Sequence, residues 1–311
     1  MTTLRVLLHV AAQRDYELHS LDFSTVFLQG SLHEEIWLCR PPGFTRSFPP
    51  GTQWSLRRLV YGLRQASREW NDTLRTTLAA LGFARSTADP SLFLRIDTSL
   101  PPFYVLVYVD DLAFATADIE ALALVKSELQ KRHTCTDLAP PSNEFVESSG
   151  PYPELVGCLI TSGMGLVLGG RGDVVLTGHS DASWIDDQAT QRSSQGYTFS
   201  LGSGSVSWRS TRSSSVLGSS CEAEIYATAM AAQELRWLTY LLTDLGERPR
   251  SPPVLYQRGQ LCLTYVATRA NTADIFTKAL LPGGHQRVCT LLGLVPTLPH
   301  LLLLCTSCLA F

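Results

Sequence analysis

The sequence has no apolar run long enough to cross a bilayer. The stretch after Pro299 in "LVPTLPHLLLLCTSCLAF" falls short of the roughly 20 residues a spanning helix needs. The N-terminus, "MTTLRVLLHVAAQ", is briefly apolar but has no cleavage region. No signal peptide is therefore read, and an intracellular location, cytoplasm or nucleus, is expected. Of eight cysteines only Cys305 and Cys308 have a CxxC spacing, with no second pair or histidine cluster to complete a zinc site. This usage points to a reducing compartment. A global basic field is also missing: net charge is −3 and the pI about 6.2, so overall charge does not advertise nucleic acid. Internal repeats are absent.

What is present suits a folded globular chain, with 45% hydrophobic and 17% charged residues. Its 311 residues leave room for two cores. Charge is uneven: between Leu56 and Arg95, seven arginines (57, 58, 64, 68, 75, 85, 95) face Glu69, Asp72 and Asp89, a local balance of +4. Arginine suits phosphate, although a solvated helix face accounts for such charges equally well. The spacing predicts a helix over "TTLRVLLHVAAQRDY", a strand over "LHSLDFSTVFL", and a loop at "PPGFTRSFPPG". It predicts an amphipathic helix with Trp70, Leu74, Leu78 and Leu81 on one face, stopped at Gly82. Another helix opens near Asp118, with Ile119, Leu122, Val125 and Leu129 on one side. "APPSNEFVESSG" breaks the pattern and marks a junction. Beyond it come glycine-punctuated strands, a long helix closed by Gly246, a strand at "QLCLTYVAT" and a short helix at "NTADIFTKAL".

One stretch asks for an explanation. In "YVLVYVDDLAFA", residues 104–115, Asp110 and Asp111 interrupt an apolar, β-branched run. Neighbouring carboxylates on a half-buried strand repel and lose hydration. A hairpin with an acidic turn explains the geometry but not the doubled charge. A tip offering carboxylates to a divalent cation explains both. Asp22, 88 positions earlier, also lies on or beside a strand. If the three meet, they suit two Mg²⁺ ions and an in-line phosphoryl displacement.

"LDFSTVFLQGSLHEEIWLCRPPGF", "LVYGLRQASREWNDTL", "LGFARSTADPSLFLR" and "YVLVYVDDLAFA" resemble, in this order, the reverse transcriptase core of copia-type retrotransposons. "HSDASWIDDQATQRSSQGYTFSLGSGSVSW", "SSCEAEIYATAMAAQELRWLTYLL" and "YVATRANTADIFTKAL" resemble the ribonuclease H that follows in the same polyprotein. The resemblance implies an α+β chain: a reverse-transcriptase palm piece, an antiparallel sheet with helices, joined to an incomplete ribonuclease H-like α/β domain. The expected boundaries are palm 1–138, junction 139–160, ribonuclease H-like domain 161–281 and an apolar tail 282–311. Asp22, Asp110 and Asp111 match the palm's metal-binding, catalytic aspartates. Phe27 matches the aromatic that rejects a ribose 2′-hydroxyl, and Gln65 a position that contacts the incoming nucleotide, while Gly62 would let backbone approach closely. Asp181, Glu224 and Asp274 match three of four ribonuclease H carboxylates, with Glu222 turned elsewhere. Implied with them are two Mg²⁺ per intact site, an RNA template, a DNA primer, an RNA–DNA hybrid and deoxynucleoside triphosphates, and no membrane.

The chain departs from that pattern in three places. The fingers segment with its triphosphate-binding basic residues is not found before "TTLRVLL". After "HTCTDL" the sequence passes through "APPSNEFVESSG" to "TSGMGLVL", without more palm or a thumb. After "PPVLY" the strand aspartate of the family is missing, and no acid lies between Tyr256 and Asp274. A defective RNA-directed DNA polymerase is thus expected. A non-catalytic nucleic-acid-binding remnant, with salt-dependent binding, and a relic without function stay open beside it.

Overall fold

The computed structural model describes residues 2–30, 32–39, 53–138, 154–161, 164–169, 174–187, 189–202, 204–247, 271–277, 280 and 282–296. The chain divides into two compact units. One comprises Glu17–Ser86 and Pro90–Glu147, the other Met1–Tyr16, Thr87–Asp89 and Ser148–Phe311. Helix α1 (Thr2–Arg14) groups with the second unit.

The first unit runs β1 (Glu17–Phe23), α2 (Val26–Gln29), β2 (Trp37–Cys39), β3 (Gln53–Ser55), α3 (Ala66–Ala80), β4 (Phe83–Arg85), β5 (Leu92–Arg95), β6 (Phe103–Tyr108), β7 (Asp111–Thr116), α4 (Ile119–Arg132) and β8 (Cys135–Leu138). Six strands form an antiparallel sheet in the order β4-β5-β6-β7-β1-β8. Side chains alternate across a strand, so each strand offers one set to the helices. Leu21 and Phe23 of β1, Phe103, Val105 and Val107 of β6, and Leu112 and Phe114 of β7 form one core with Trp70, Leu74 and Leu78 of α3 and Leu122, Val125 and Leu129 of α4. The α3 stripe is the one its spacing predicts, and Gly82 ends the helix at φ +86°, where a side chain would be strained. Asp118 caps α4 by accepting from the Ala121 N–H at 3.0 Å. Ile119, expected on the buried side of α4, is exposed: it is the first residue past the cap, before the helix has turned its apolar face inward.

The first strand is shorter than "LHSLDFSTVFL" suggests. It stops at Phe23, and Thr25 takes φ 53°, turning the chain into the helical turn α2. Phe27 therefore sits on a helix rather than a strand.

The second unit contains α1, β9 (Glu154–Thr161), β10 (Met164–Gly169), β11 (Leu176–Asp187), β12 (Arg192–Leu201), β13 (Gly204–Arg212), α5 (Ser220–Asp244), a 3₁₀ turn (Thr272–Phe276), α6 (Pro282–Leu291) and β14 (Leu294–Pro296). The strands form two sheets, β14-β10-β9 and β11-β12-β13. β9 falls almost wholly within the expected junction 139–160, and "NTADIFTKAL" opens as a 3₁₀ turn where the spacing predicts a helix. In α1 the buried apolar positions are Val6, Leu7, Val10, Ala11 and Ala12. The helix is also held by polar contacts. Arg5 lies 3.9 Å over the Trp208 ring, His9 Nδ1 accepts from the Gly169 N–H at 3.1 Å, and Arg14 grips Glu247 with two N–H groups. Burial pushes the His9 imidazole down to about 4, against the opposing pull of Glu247, so its ring is neutral and able to accept.

Helix α5 begins with a capping arrangement: Ser219 Oγ accepts from the Glu222 N–H at 3.1 Å, and Glu222 Oε2 accepts from the Gly218 N–H at 2.7 Å. Glu222 is thereby occupied at the helix start. Ser219→Ala should lower stability by about 1 kcal/mol in denaturant unfolding, whereas Glu222→Gln, which still accepts, should change it little.

No helix among the described residues is long and apolar enough to cross a membrane. The strand "QLCLTYVAT", the Tyr256–Gln257 join and the terminal apolar run lie outside the described residues.

Candidate active site

Leu21, Phe23, Leu112 and Phe114 point into the helical core, so Asp22 and Asp111 project from the opposite face of the sheet. The register of β1 and β7 sets Asp22 directly across from Asp111, and Thr136 of β8 flanks Asp22 on its other side. Directly opposed residues bring their Cβ atoms within about 5 Å. Two carboxylates thus stand side by side, and Asp110 occupies the adjoining turn.

That turn is tight and strained. Tyr108 pairs with Asp111, leaving Val109 and Asp110 as a two-residue hairpin loop. Val109 has φ 51° and Asp110 does not have a positive φ, the sign pattern of a II′ turn, which favours glycine at its first position. A β-branched residue there is a backbone outlier. Two hydrogen bonds hold it: the Trp70 indole N–H donates to the Val109 carbonyl at 2.7 Å, and the Phe23 N–H donates to the Asp110 carbonyl at 2.8 Å. The spacing of Trp70 places it in an apolar stripe and does not reveal where the indole N–H goes.

Asp111 is pushed up to about 6, first by burial and then by the charges of Asp110 and Asp22. The acids are thus held together at an electrostatic cost. Among the described residues no set of three or more His, Cys, Asp or Glu is gathered closely enough to enclose a metal ion. Mg²⁺ does not require such a cage. It takes hard oxygen donors, keeps several waters, and is commonly held by one or two carboxylates plus substrate phosphates. An all-carboxylate pair whose charges repel fits that demand.

Phe27 is buried, with its ring edge-on to the exposed Tyr61 at 4.6 Å. Gln65 precedes α3, and its Nε2 donates to Glu34 at 3.3 Å. Gly62 adopts φ +95°, an angle that favours glycine, and a Cβ added there would meet no protein atom within 4 Å. Much of the local basic excess is engaged within the fold: Arg58 donates to the Leu28 carbonyl, Arg75 pairs with Asp72, and Arg95 with Asp118. A cleft of about 450 Å³ near the end of α4 is lined by Arg58, Lys131, Arg132 and His133. Lys131 and Arg132 there pair with Glu128 and complement the helix C-terminus, so the cleft's charges have a structural use.

In the second unit, Asp181 is buried on β11 and accepts from the Thr277 hydroxyl. Its neighbours Ser180 and Ala182 face α5, where Ser180 approaches Thr228 and Ala182 packs with Ala223 and Ala227. Alternation turns Asp181 to the other face, which the segment after Asn271 covers. Gly196, opposite Asp181, leaves room for Phe276 and Thr277, since a Cβ there would meet both at 3.0 Å. Glu224 is exposed one turn into α5. Asp274 belongs to the 3₁₀ turn, but its side chain lies outside the described residues.

Residues 1–147 match the family model described as reverse transcriptase (RNA-dependent DNA polymerase). Two curated relatives are similar over long stretches. The Retrovirus-related Pol polyprotein from transposon RE2 of Arabidopsis thaliana is 26% identical over 422 residues, covering 96% of this chain and 29% of the relative. The corresponding polyprotein from transposon TNT 1-94 of Nicotiana tabacum is 24% identical over 346 residues, covering 79% and 26%. The Putative transposon Ty5-1 protein of Saccharomyces cerevisiae is 38% identical over 118 residues, 38% of each chain. The chain spans less than a third of the two polyproteins. A match of 422 positions against 311 residues also leaves at least 111 positions inside it without a counterpart here. Residues 1–147 are thus similar to reverse transcriptases, and most of the chain is similar to the Pol polyproteins of retrotransposons.

Proposed function

We propose that the first unit is the metal-holding palm of an RNA-directed DNA polymerase, and that this copy has lost sustained synthesis. The observation that carries the reading is the Asp22–Asp111 cross-strand pair on the sheet face opposite the α3–α4 core, with Asp110 at the adjoining strained turn. Asp22, Asp110 and Asp111 would hold Mg²⁺, which when bound neutralises charge on the reacting phosphate and activates the attacking hydroxyl. In this reading Asp22 and Asp111 orient the primer 3′-hydroxyl and the α-phosphate of a deoxynucleoside triphosphate opposite an RNA template. Phe27 excludes a ribose 2′-hydroxyl, backed by Tyr61, and Gln65 contacts the nucleotide.

The defect follows from the positions without a counterpart, which in this reading include the remaining palm, the thumb and one ribonuclease H aspartate. The second unit is then a ribonuclease H-like remnant carrying Asp181, Glu224 and Asp274. Burial of Asp181 beneath Thr277 favours a remnant that does not cut an RNA–DNA hybrid.

The test is Mn²⁺ binding to the full chain followed by electron paramagnetic resonance, beside primer extension on an RNA template and hybrid cleavage. Mn²⁺ should bind and be released by Asp22→Asn, with neither extension nor cleavage detected. Binding indifferent to Asp22→Asn would remove the palm reading. Extension abolished by that change would show instead that synthesis survives.

A further inference from the structure

We propose that Trp70 is a positioning residue for the carboxylate hairpin: its indole N–H, bonded to the Val109 carbonyl, fixes the strained turn and so sets where Asp110 and Asp111 stand relative to Asp22. This rests on the palm reading for its functional meaning, though the geometry stands by itself.

Three observations carry it. Trp70 is almost wholly buried, so its N–H must find an acceptor or be left unsatisfied. The acceptor it finds is the carbonyl of Val109, the residue with φ 51°, at 2.7 Å. Finally, the indole is itself immobilised. Phe23 packs edge-on against it at 5.2 Å, His133 does so at 5.4 Å, and the His133 ring is tied to Thr77 Oγ1 at 3.2 Å. Phe23 also supplies the second clamp, its N–H to the Asp110 carbonyl, and directly follows Asp22. One aromatic cluster therefore fixes both ends of the acidic site. A strained backbone persists only where its surroundings over-determine it, and here the surroundings are Trp70 and Phe23.

The experiment compares Trp70→Phe, which keeps an aromatic ring and loses the N–H, with Leu78→Val, a buried α3 substitution remote from the hairpin. Mn²⁺ affinity and amide hydrogen exchange over residues 109–112 are read in the full chain. Trp70→Phe should weaken Mn²⁺ binding about tenfold and speed exchange at those amides by at least as much. Leu78→Val should lower global stability while leaving both readouts where they were. A second variant guards against simple unfolding: Val109→Gly, which adopts positive φ without being held, should shrink the effect of Trp70→Phe. Unchanged exchange and affinity in Trp70→Phe, or equal losses in Leu78→Val, would overturn the proposal. If the parent chain binds no Mn²⁺, the palm reading fails, and the exchange comparison still decides the role of Trp70.

Discussion

Asp111→Asn is expected to raise the melting temperature of the metal-free protein near neutral pH and to abolish its response to Mn²⁺. The Asp111 carboxyl is pushed up to about 6 by burial, Asp110 and Asp22. A carboxyl whose folded value exceeds its unfolded one favours the folded state fully only while protonated. Its contribution is present below about pH 4 and is lost as the pH rises through about 6. Melts across that interval should therefore show a decline in the parent chain that Asp111→Asn lacks. Mn²⁺ should oppose the decline in the parent, because binding to the folded state alone stabilises it by mass action. The substitution exchanges function for stability, as expected where like charges are held together for a ligand. Parallel pH curves for parent and variant would sink the argument.

Phe114→Ala should be among the most destabilising single changes in the first unit. Phe114 is fully buried on β7, three residues from Asp111, and its ring meets Phe103 at 6.2 Å. Removing a buried phenylalanine costs about 3–5 kcal/mol, the transfer term plus the cavity. Domains have only about 5–15 kcal/mol in hand. Protection of the β6 and β7 amides against exchange should fall by that amount, and Mn²⁺ binding with it. Ile119→Ala, at an exposed position on α4, provides the contrast and should stay within about 0.5 kcal/mol of the parent. Equal effects at the two sites would contradict the placement of the core.

The carboxylate strands were legible because a period of two is hard to disguise. Once Leu21, Phe23, Leu112 and Phe114 are assigned to the core, Asp22 and Asp111 have only the other face to occupy. The α3 stripe and the Gly82 stop were readable for the same reason, a pattern matched to a period. What could not be read depends on backbone angles and distant partners. Thr25 and Val109 adopt positive φ without the glycine that usually announces it, so the α2 turn and the strain at the hairpin left no trace in composition. The destination of the Trp70 N–H is a tertiary fact, as is the docking of α1 on β10 and β13. In the second unit the motifs marked Asp181 and Glu224, but only alternation along β11 revealed that Asp181 turns away from α5.

The attachments of α1 also order events in time. Its ion-pair partner for Arg14, Glu247, lies 233 residues further along, and the Gly169 amide that His9 accepts from lies 160 further. Chains emerge from the ribosome at about 5–20 residues per second, so α1, once made, waits roughly 12–47 s for Glu247 to be made. Throughout that interval Val6, Leu7, Val10 and Ala11 lack the surface that finally covers them. The helix is therefore made well before the contacts that secure it, and nascent chains are exposed to capture or aggregation through it.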